Sequence, residues 1–380
     1  MAKSAVAVMR TTPETVVEDY GKAMRSVGYT DTLSKDVDTV LKLNLSWTKF
    51  FPACSTPPWE LDGVCTAMLE DGYPAERLLP VENKTVVTDP WIGAYNNRWL
   101  PVLEKHGLEY QALPEVEWET VRFKSPLMKL NEIFPDGIEV PSMYVGRNIV
   151  HLPTVKTHGH STTTGAIKNS FGGLLKEVRH YAHEFMHEVL VDLLYMQKEL
   201  HPGVFAVMDG TVCGDGAGPR TMIPREQNII LASSDQVAID AIAARLMGFN
   251  PLEIPYLKWS EERGLGTADP SKIEIVGTDI EGLNFEFSTK KSLVIWGDQL
   301  IRKGPLRPLR KLLLHSPLMF WAPMASNAYH DGLWYPTVGA KLIKEFMGTQ
   351  WGQLLNTYPK GNRPEKRNYD NTKKWQHHAA

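Results

Sequence analysis

Residues 149–173 read IVHLPTVKTHGHSTTTGAIKNSFGG, and their order decides the fold. Ile149–Val155 is an apolar run of strand length, while from Gly165 onward the apolar residues fall at helical spacing. A polar cluster set between a buried strand and a helix is where open α/β sheets bind ligands, outside the carboxyl ends of their strands.

The same alternation extends in both directions. Ala5–Met9, Val40–Leu45, Leu78–Val81, Thr85–Thr88, Val204–Gly210, the run IILASS at 229–234 and the run IEIVG at 273–277 read as strands. Helices are expected after Thr12 with Pro13 in the first turn, over Trp59–Asp71 before Gly72, over Asn96–His106 before Gly107, and over Asp235–Met247 before Gly248. Asp235 follows two serines and opens a periodic run, the pattern of a helix N-cap, and Asp240 falls within that helix as a structural residue. The expected class is α/β, an open mostly parallel sheet with flanking helices, a small β-rich insertion over 108–148 and an irregular C-terminal subdomain. The expected divisions are 1–148 as an N-terminal α/β lobe, 149–285 as the lobe carrying the Lys/His and Gly-rich segments, 286–360 as the aromatic and Pro-rich subdomain, and 361–380 as a disordered tail.

Composition narrows the function. A net charge of −3 argues against a nucleic-acid partner bound by bulk charge. Three scattered cysteines build no disulfide framework and fit a reducing, cytoplasmic setting. The N-terminal apolar run is too short for a signal peptide, and no stretch approaches the roughly 18 apolar residues of a membrane span.

Candidate chemistry concentrates in two segments. In the first, Lys156 and Lys168 supply positive charge, and His158 and His160, two apart, point the same way on an extended chain. Thr162, Thr163 and Thr164 offer hydroxyls and N–H groups at an expected helix N-terminus, an anion site, with Asn169 one turn into the helix. In the second, the strand Val204–Gly210 ends at Asp209, a candidate acid/base group or metal ligand, and runs into TVCGDGAGPR, where Gly216 and Gly218 would let N–H groups cradle phosphate or carboxylate. Asn44, near the end of an early strand, reaches the same crevice, whereas Lys42 alternates with Leu41 and Leu43 as a solvent-facing residue would. Cys54 could be a reactive thiol but is left out of the core set.

These motifs carry a resemblance. KTHGHSTTTGAIKNSFGG, DGTVCGDGAGPR, ILASSDQVAIDAIAARLMGFNP, YLKWSEERGLG and IEIVG, in this order, resemble the domain-of-unknown-function family 362 over roughly residues 37–280. VLKLNLSW resembles the family's early lysine–proline–asparagine strand, with Leu43 where proline is usual. Some members carry a ferredoxin module. This chain has only Cys54, Cys65 and Cys213 and no CxxCxxC run, so an iron–sulphur cluster is not expected.

His183-Glu184-Phe185-Met186-His187 matches HExxH in a helically periodic stretch. Five residues are a short pattern, so zinc-protease chemistry is set aside, leaving His183 or His187 as a further ring that could face the KTHGH segment. Residues 301–334 are basic, then rich in Leu, Met, Phe and Trp. Prolines 305, 308, 317 and 323 exclude one long amphipathic helix, so packing across the core is favoured over a membrane surface or hydrophobic partner.

Three readings follow. The first is an enzyme doing acid/base chemistry on a small anionic metabolite in an inter-lobe crevice. Lys156, Lys168 and loop N–H groups hold the anion, while His158, His160 and Asp209 move protons. The second places a divalent metal on His158, His160 and Asp209 for Lewis-acid or redox chemistry. The third is a binding or assembly protein using its C-terminal aromatic region.

Overall fold

The computed structural model describes residues 4–85, 88–176, 182–289, 321–367 and 369. Residues 301–320, His180, and the tail histidines His377 and His378 lie outside them. Among the described residues the strands are β1 (Ala5–Arg10), β2 (Thr39–Lys42), β3 (Leu78–Glu82), β4 (Gln111–Ala112), β5 (Trp118–Val121), β6 (Ile138–Pro141), β7 (Asn148–His151), β8 (Thr154–His158), β9 (Thr162–Thr164), β10 (Val204–Ala217), β11 (Thr221–Ser233) and β12 (Glu274–Gly277).

Ten strands form one sheet, ordered β12-β1-β11-β10-β7-β2-β3-β4, with β8 on β10 and β9 on β8. Pairing is parallel except at β1/β11, β10/β11 and β8/β9. The mixed α/β class and mostly parallel sheet are as expected. The division at residue 148 does not interrupt this sheet, because β2 pairs with β7 and β1 with β11 and β12. The insertion is a two-stranded β5/β6 sheet.

Strand alternation sorts side chains onto two buried faces, as in a sheet covered on both sides. Val6, Val8, Ile149, Ala206 and Met208 face the helices Ala166–Leu174, Met186–Leu200, Gln236–Met247 and Pro255–Glu262. Ala7, Val150, Phe205 and Val207 face Val16–Ser26 and Pro58–Glu70. Asp235 caps its helix through Val237 and Ala238, and Gly248 ends it in the left-handed region at φ +97°. The first helix starts at Val16, after a turn at Pro13–Thr15. The helix expected over Asn96–His106 is two, Pro90–Asn96 and Trp99–Lys105, because Arg98 at φ +64° breaks the backbone between them. Thr85 and Thr88 make only an isolated bridge.

The C-terminal segment packs on the body. Trp334 and Tyr335 sit on Trp47 and Phe51, and buried Trp351 stacks near Trp59 while donating to Asn228 Oδ1 at 2.7 Å. Burial of a large apolar side chain contributes about 1.5–3 kcal/mol, so these anchors secure the segment. The expectation that prolines exclude a long helix here is corrected over the described part: residues 321–347 run helical without a break, α over Trp321–Asn327 with Pro323 in its first turn, π over Ala328–Gly339 with Pro336 inside it, and α over Ala340–Met347.

Candidate functional site

The β8/β9 hairpin organises the polar cluster. Lys156 pairs with Thr164, Thr157 with Thr163 and His158 with Thr162, leaving Gly159–Ser161 as the turn. Alternation along β8 sends Thr154, Lys156 and His158 to one side. The His160 N–H donates to His158 Nδ1 at 3.1 Å, so the neutral His158 ring carries its proton on Nε2. The two rings lie 5.9 Å apart, and His183 comes within 6.1 Å of His160. Burial, then the nearby Lys168, His160, His183 and Lys156, hold His158 well below the usual imidazole range.

Lys156 is fully buried. Its ammonium donates to Asn44 Oδ1, to the Cys54 carbonyl at 2.9 Å and to Thr154 Oγ1 at 2.6 Å, all neutral acceptors. Burial pulls it down to about 8. Asn44 Nδ2 donates to Asn169 Oδ1 at 3.3 Å, and Asn169 Nδ2 to the Lys42 carbonyl at 2.9 Å. The expected grouping of Asn44, Lys156 and Asn169 therefore exists. Lys42 corrects the expectation of a solvent-facing residue: it is 1% exposed and pairs with Glu82 Oε1 at 2.8 Å.

Asp209 turns elsewhere. Its Oδ1 accepts from Tyr20 Oη at 2.8 Å, Thr211 Oγ1 at 2.7 Å and Trp59 Nε1 at 3.4 Å, and burial pushes it up to about 6. Beside it, buried Glu60 has no well-aligned hydrogen-bond partner for either oxygen among the described residues, and burial followed by the Asp209 charge raises it well above the carboxylate range. Both carboxylates act on Lys156 through space. Asp209 does not join His158 and His160, and among the described residues no three His, Cys, Asp or Glu side chains are placed to hold a metal.

Two expectations are corrected. Thr162–Thr164 form a strand, and the following helix N-terminus is already filled: Asp240 Oδ1 accepts from the Ala166 N–H at 2.6 Å and Oδ2 from the Ile167 N–H at 3.2 Å. A Cβ on Gly165 would stand 2.1 Å from that carboxylate, so glycine is required there. Thr163 meets Tyr256 Oη at 3.0 Å, whereas buried Thr164 Oγ1 has no partner among the described residues. The segment TVCGDGAG is likewise no loop. It continues β10 to Ala217, and the turn at Gly218–Arg220 leads into β11. Gly216 sits at φ +102°, and a Cβ on Gly218 would stand 1.8 Å from the Thr157 carbonyl. These glycines bring the β10/β11 hairpin against β8.

The HExxH pattern loses its helical context as well. Residues 182–185 form a 3-10 turn and the α-helix begins at Met186. His183 joins His160, while His187 stacks at 6.0 Å on Tyr256. Lys168, on the Ala166–Leu174 helix, lies 5.5 Å from the Phe171 ring centroid and bears on His158 electrostatically. Cys54 is buried, donates to the Pro219 carbonyl at 3.1 Å and is pushed up to about 11 by burial, the opposite of an activated thiol. Sequence reasoning missed Glu82, Glu60 and Asp240 as members of this centre. Glu82 and Glu60 stand near an expected strand end and helix start, whereas Asp240 lies mid-helix and gave no local signal.

Comparison with known proteins adds a family. No solved structure matches this chain significantly. A thylakoid-associated protein of Synechocystis sp., sll1697, is 26% identical over 209 residues, 53% of this chain and 58% of that protein. This chain thus spans less than two thirds of the relative's length. A family model described as Domain of unknown function (DUF362) matches residues 39–245. That span is more than half of the chain and holds Lys42, Asn44, Glu82, Lys156, the paired histidines, Asn169, Asp209 and Asp240; the chain belongs to the DUF362 family.

Proposed function

We propose that this protein is an enzyme performing acid/base chemistry on a small anionic metabolite, a carboxylate or a phosphate, at the mouth of the β8/β9 hairpin. The observation that supports it is Lys156, a buried ammonium directly held only by neutral acceptors, below a neutral imidazole. Lys168 holds the anion, and the Lys156 ammonium, its three N–H groups already bonded, attracts it through space. His158, donating from Nε2, stabilises an enolate or oxyanion as it develops, because a fixed donor in a water-poor site needs no reorganisation. His160, half-buried at the turn, exchanges the proton. Asp209 and Glu60 tune Lys156 through space, a positioning role for Asp209 in place of proton transfer. The cytoplasmic setting remains part of this reading, and the three cysteines are all unpaired.

The test screens small carboxylates and phosphates for thermal stabilisation, then incubates the binders with enzyme in D2O and follows deuterium uptake by mass spectrometry. Uptake lost in His158→Phe supports the reading, and no uptake into any binder defeats it. Elemental analysis of untagged protein tests the alternative of a divalent ion on His158 and His160. A second reading, contact with a hydrophobic partner or membrane surface through 301–334, draws on Met324 and Leu333, which are 70% and 58% exposed, and on the thylakoid association of the relative. Co-sedimentation with anionic vesicles, lost in Met324→Glu/Leu333→Glu, tests it.

A further inference from the structure

A cavity of about 450 Å³ lies where the C-terminal segment meets the body. Its lining has two kinds of wall. Lys49, Arg98 and Lys360 bring three cations, with Asn96 and Tyr335 beside them and no carboxylate in the lining among the described residues. Phe50, Ile343, Met347 and Leu355 form the apolar side. The volume falls in the range of small-molecule sites, which pair apolar walls with a few placed polar groups.

Arg98 is the second, independent observation. It is half-buried, and its backbone stands at φ +64°, a region uncommon for residues other than glycine. The guanidinium is fixed by Nη1, which donates to the carbonyls of Leu355 and Tyr358. No carboxylate pairs with it among the described residues. Lys49 is steered by the Tyr335 face, 4.5 Å from its ring centroid, with Asp331 at 3.9 Å outside the lining. A guanidinium taken partly out of water without a counter-ion costs free energy that a bound anion would recover.

We infer that this cavity is a binding site for a small amphiphilic anion, a carboxylate or phosphate head held by Arg98, Lys49 and Lys360 with an apolar tail against Phe50, Ile343, Met347 and Leu355. The site is separate from the Lys156 centre and does not depend on the reaction proposed there. An occupant would bridge the Trp99–Lys105 helix and the helices Ala340–Met347 and Gln350–Thr357, securing the C-terminal segment to the body.

The test is isothermal titration of the full chain with decanoate, decyl phosphate, inorganic phosphate and decanol, below micelle-forming concentrations. The expected result is one-to-one binding of one or both decyl anions, with inorganic phosphate and decanol at least about tenfold weaker. Arg98→Gln should weaken binding about tenfold or more. Because Arg98 also holds Leu355 and Tyr358, the exposed Lys360→Glu is the fold-neutral variant, expected to weaken binding roughly fivefold with an unchanged melting temperature. Failure of both decyl anions to bind overturns the inference, as does equal affinity in the Lys360→Glu protein. Phosphate binding as tightly as decyl phosphate overturns the apolar part, and decanol binding as tightly overturns the cationic part.

Discussion

Lys42 and Glu82 form an enclosed ion pair, Nζ to Oε1 at 2.8 Å, where the neighbouring parallel strands β2 and β3 end. Breaking such a pair from one side leaves a buried charge and costs about 3–5 kcal/mol. Glu82→Gln is therefore expected to lower the urea midpoint sharply. Lys42→Met/Glu82→Leu, which removes both charges, should recover most of that loss.

Lys156→Met removes the central charge of the site. The variant loses a desolvated ammonium but leaves the Asn44, Cys54 and Thr154 acceptors without their donor, so its melting temperature should fall while anion-dependent stabilisation disappears. A pH profile gives a second check. Lys156 sits at about 8 in the fold against 10.5 when free, so its charge, and anion binding with it, declines as pH rises through 8. The native state sheds that proton first, so this group adds stability as pH climbs from about 8 to 10.5.

Asp240 predicts an opposite slope at lower pH. Burial pushes its carboxyl from 3.8 up to about 7 despite the Ala166 and Ile167 N–H donors. Between those values the native protein keeps a proton that the unfolded chain has lost. Its contribution is present below pH 3.8 and is lost as pH rises to about 7. Urea unfolding across this window should show the decline, and Asp240→Asn should flatten it.

Gly218→Ala places a methyl group on the Thr157 carbonyl, which is backbone and cannot rotate away. Overpacking of this kind costs about 1–3 kcal/mol. Denaturant unfolding should show the loss, together with weaker anion binding as β8 is displaced.

What the sequence made legible was local. Strand and helix alternation, the Asp235 cap and the Gly248 stop depend on neighbours within a few residues, and the structure has them. The Lys156–Asn44–Asn169 grouping was legible because strand ends in such a sheet converge. Lys42 was misplaced because its alternation with leucines is that of an edge residue, while Glu82 lies 40 positions away. The helix N-terminus at Ala166 looked open to a ligand because Asp240, 74 positions on, gives no local sign that it fills it. The glycine run looked like a loop because glycine serves equally where chains must pass at backbone distance, and only the β8 partner distinguishes the two.

The turn joining β10 to β11 has a practical consequence. Hairpin tips are usually where chains tolerate nicks, tags and inserted residues. Here Gly218 lies against Thr157, the Pro219 carbonyl receives the Cys54 thiol, and Arg220 donates to Ser326 Oγ at 2.8 Å. The turn is a keystone joining three parts of the chain, so a reporter or protease site spliced there would dismantle the candidate site. Exposed turns remote from it, such as Gly264 at φ +68° with open space about its Cα, suit such insertions.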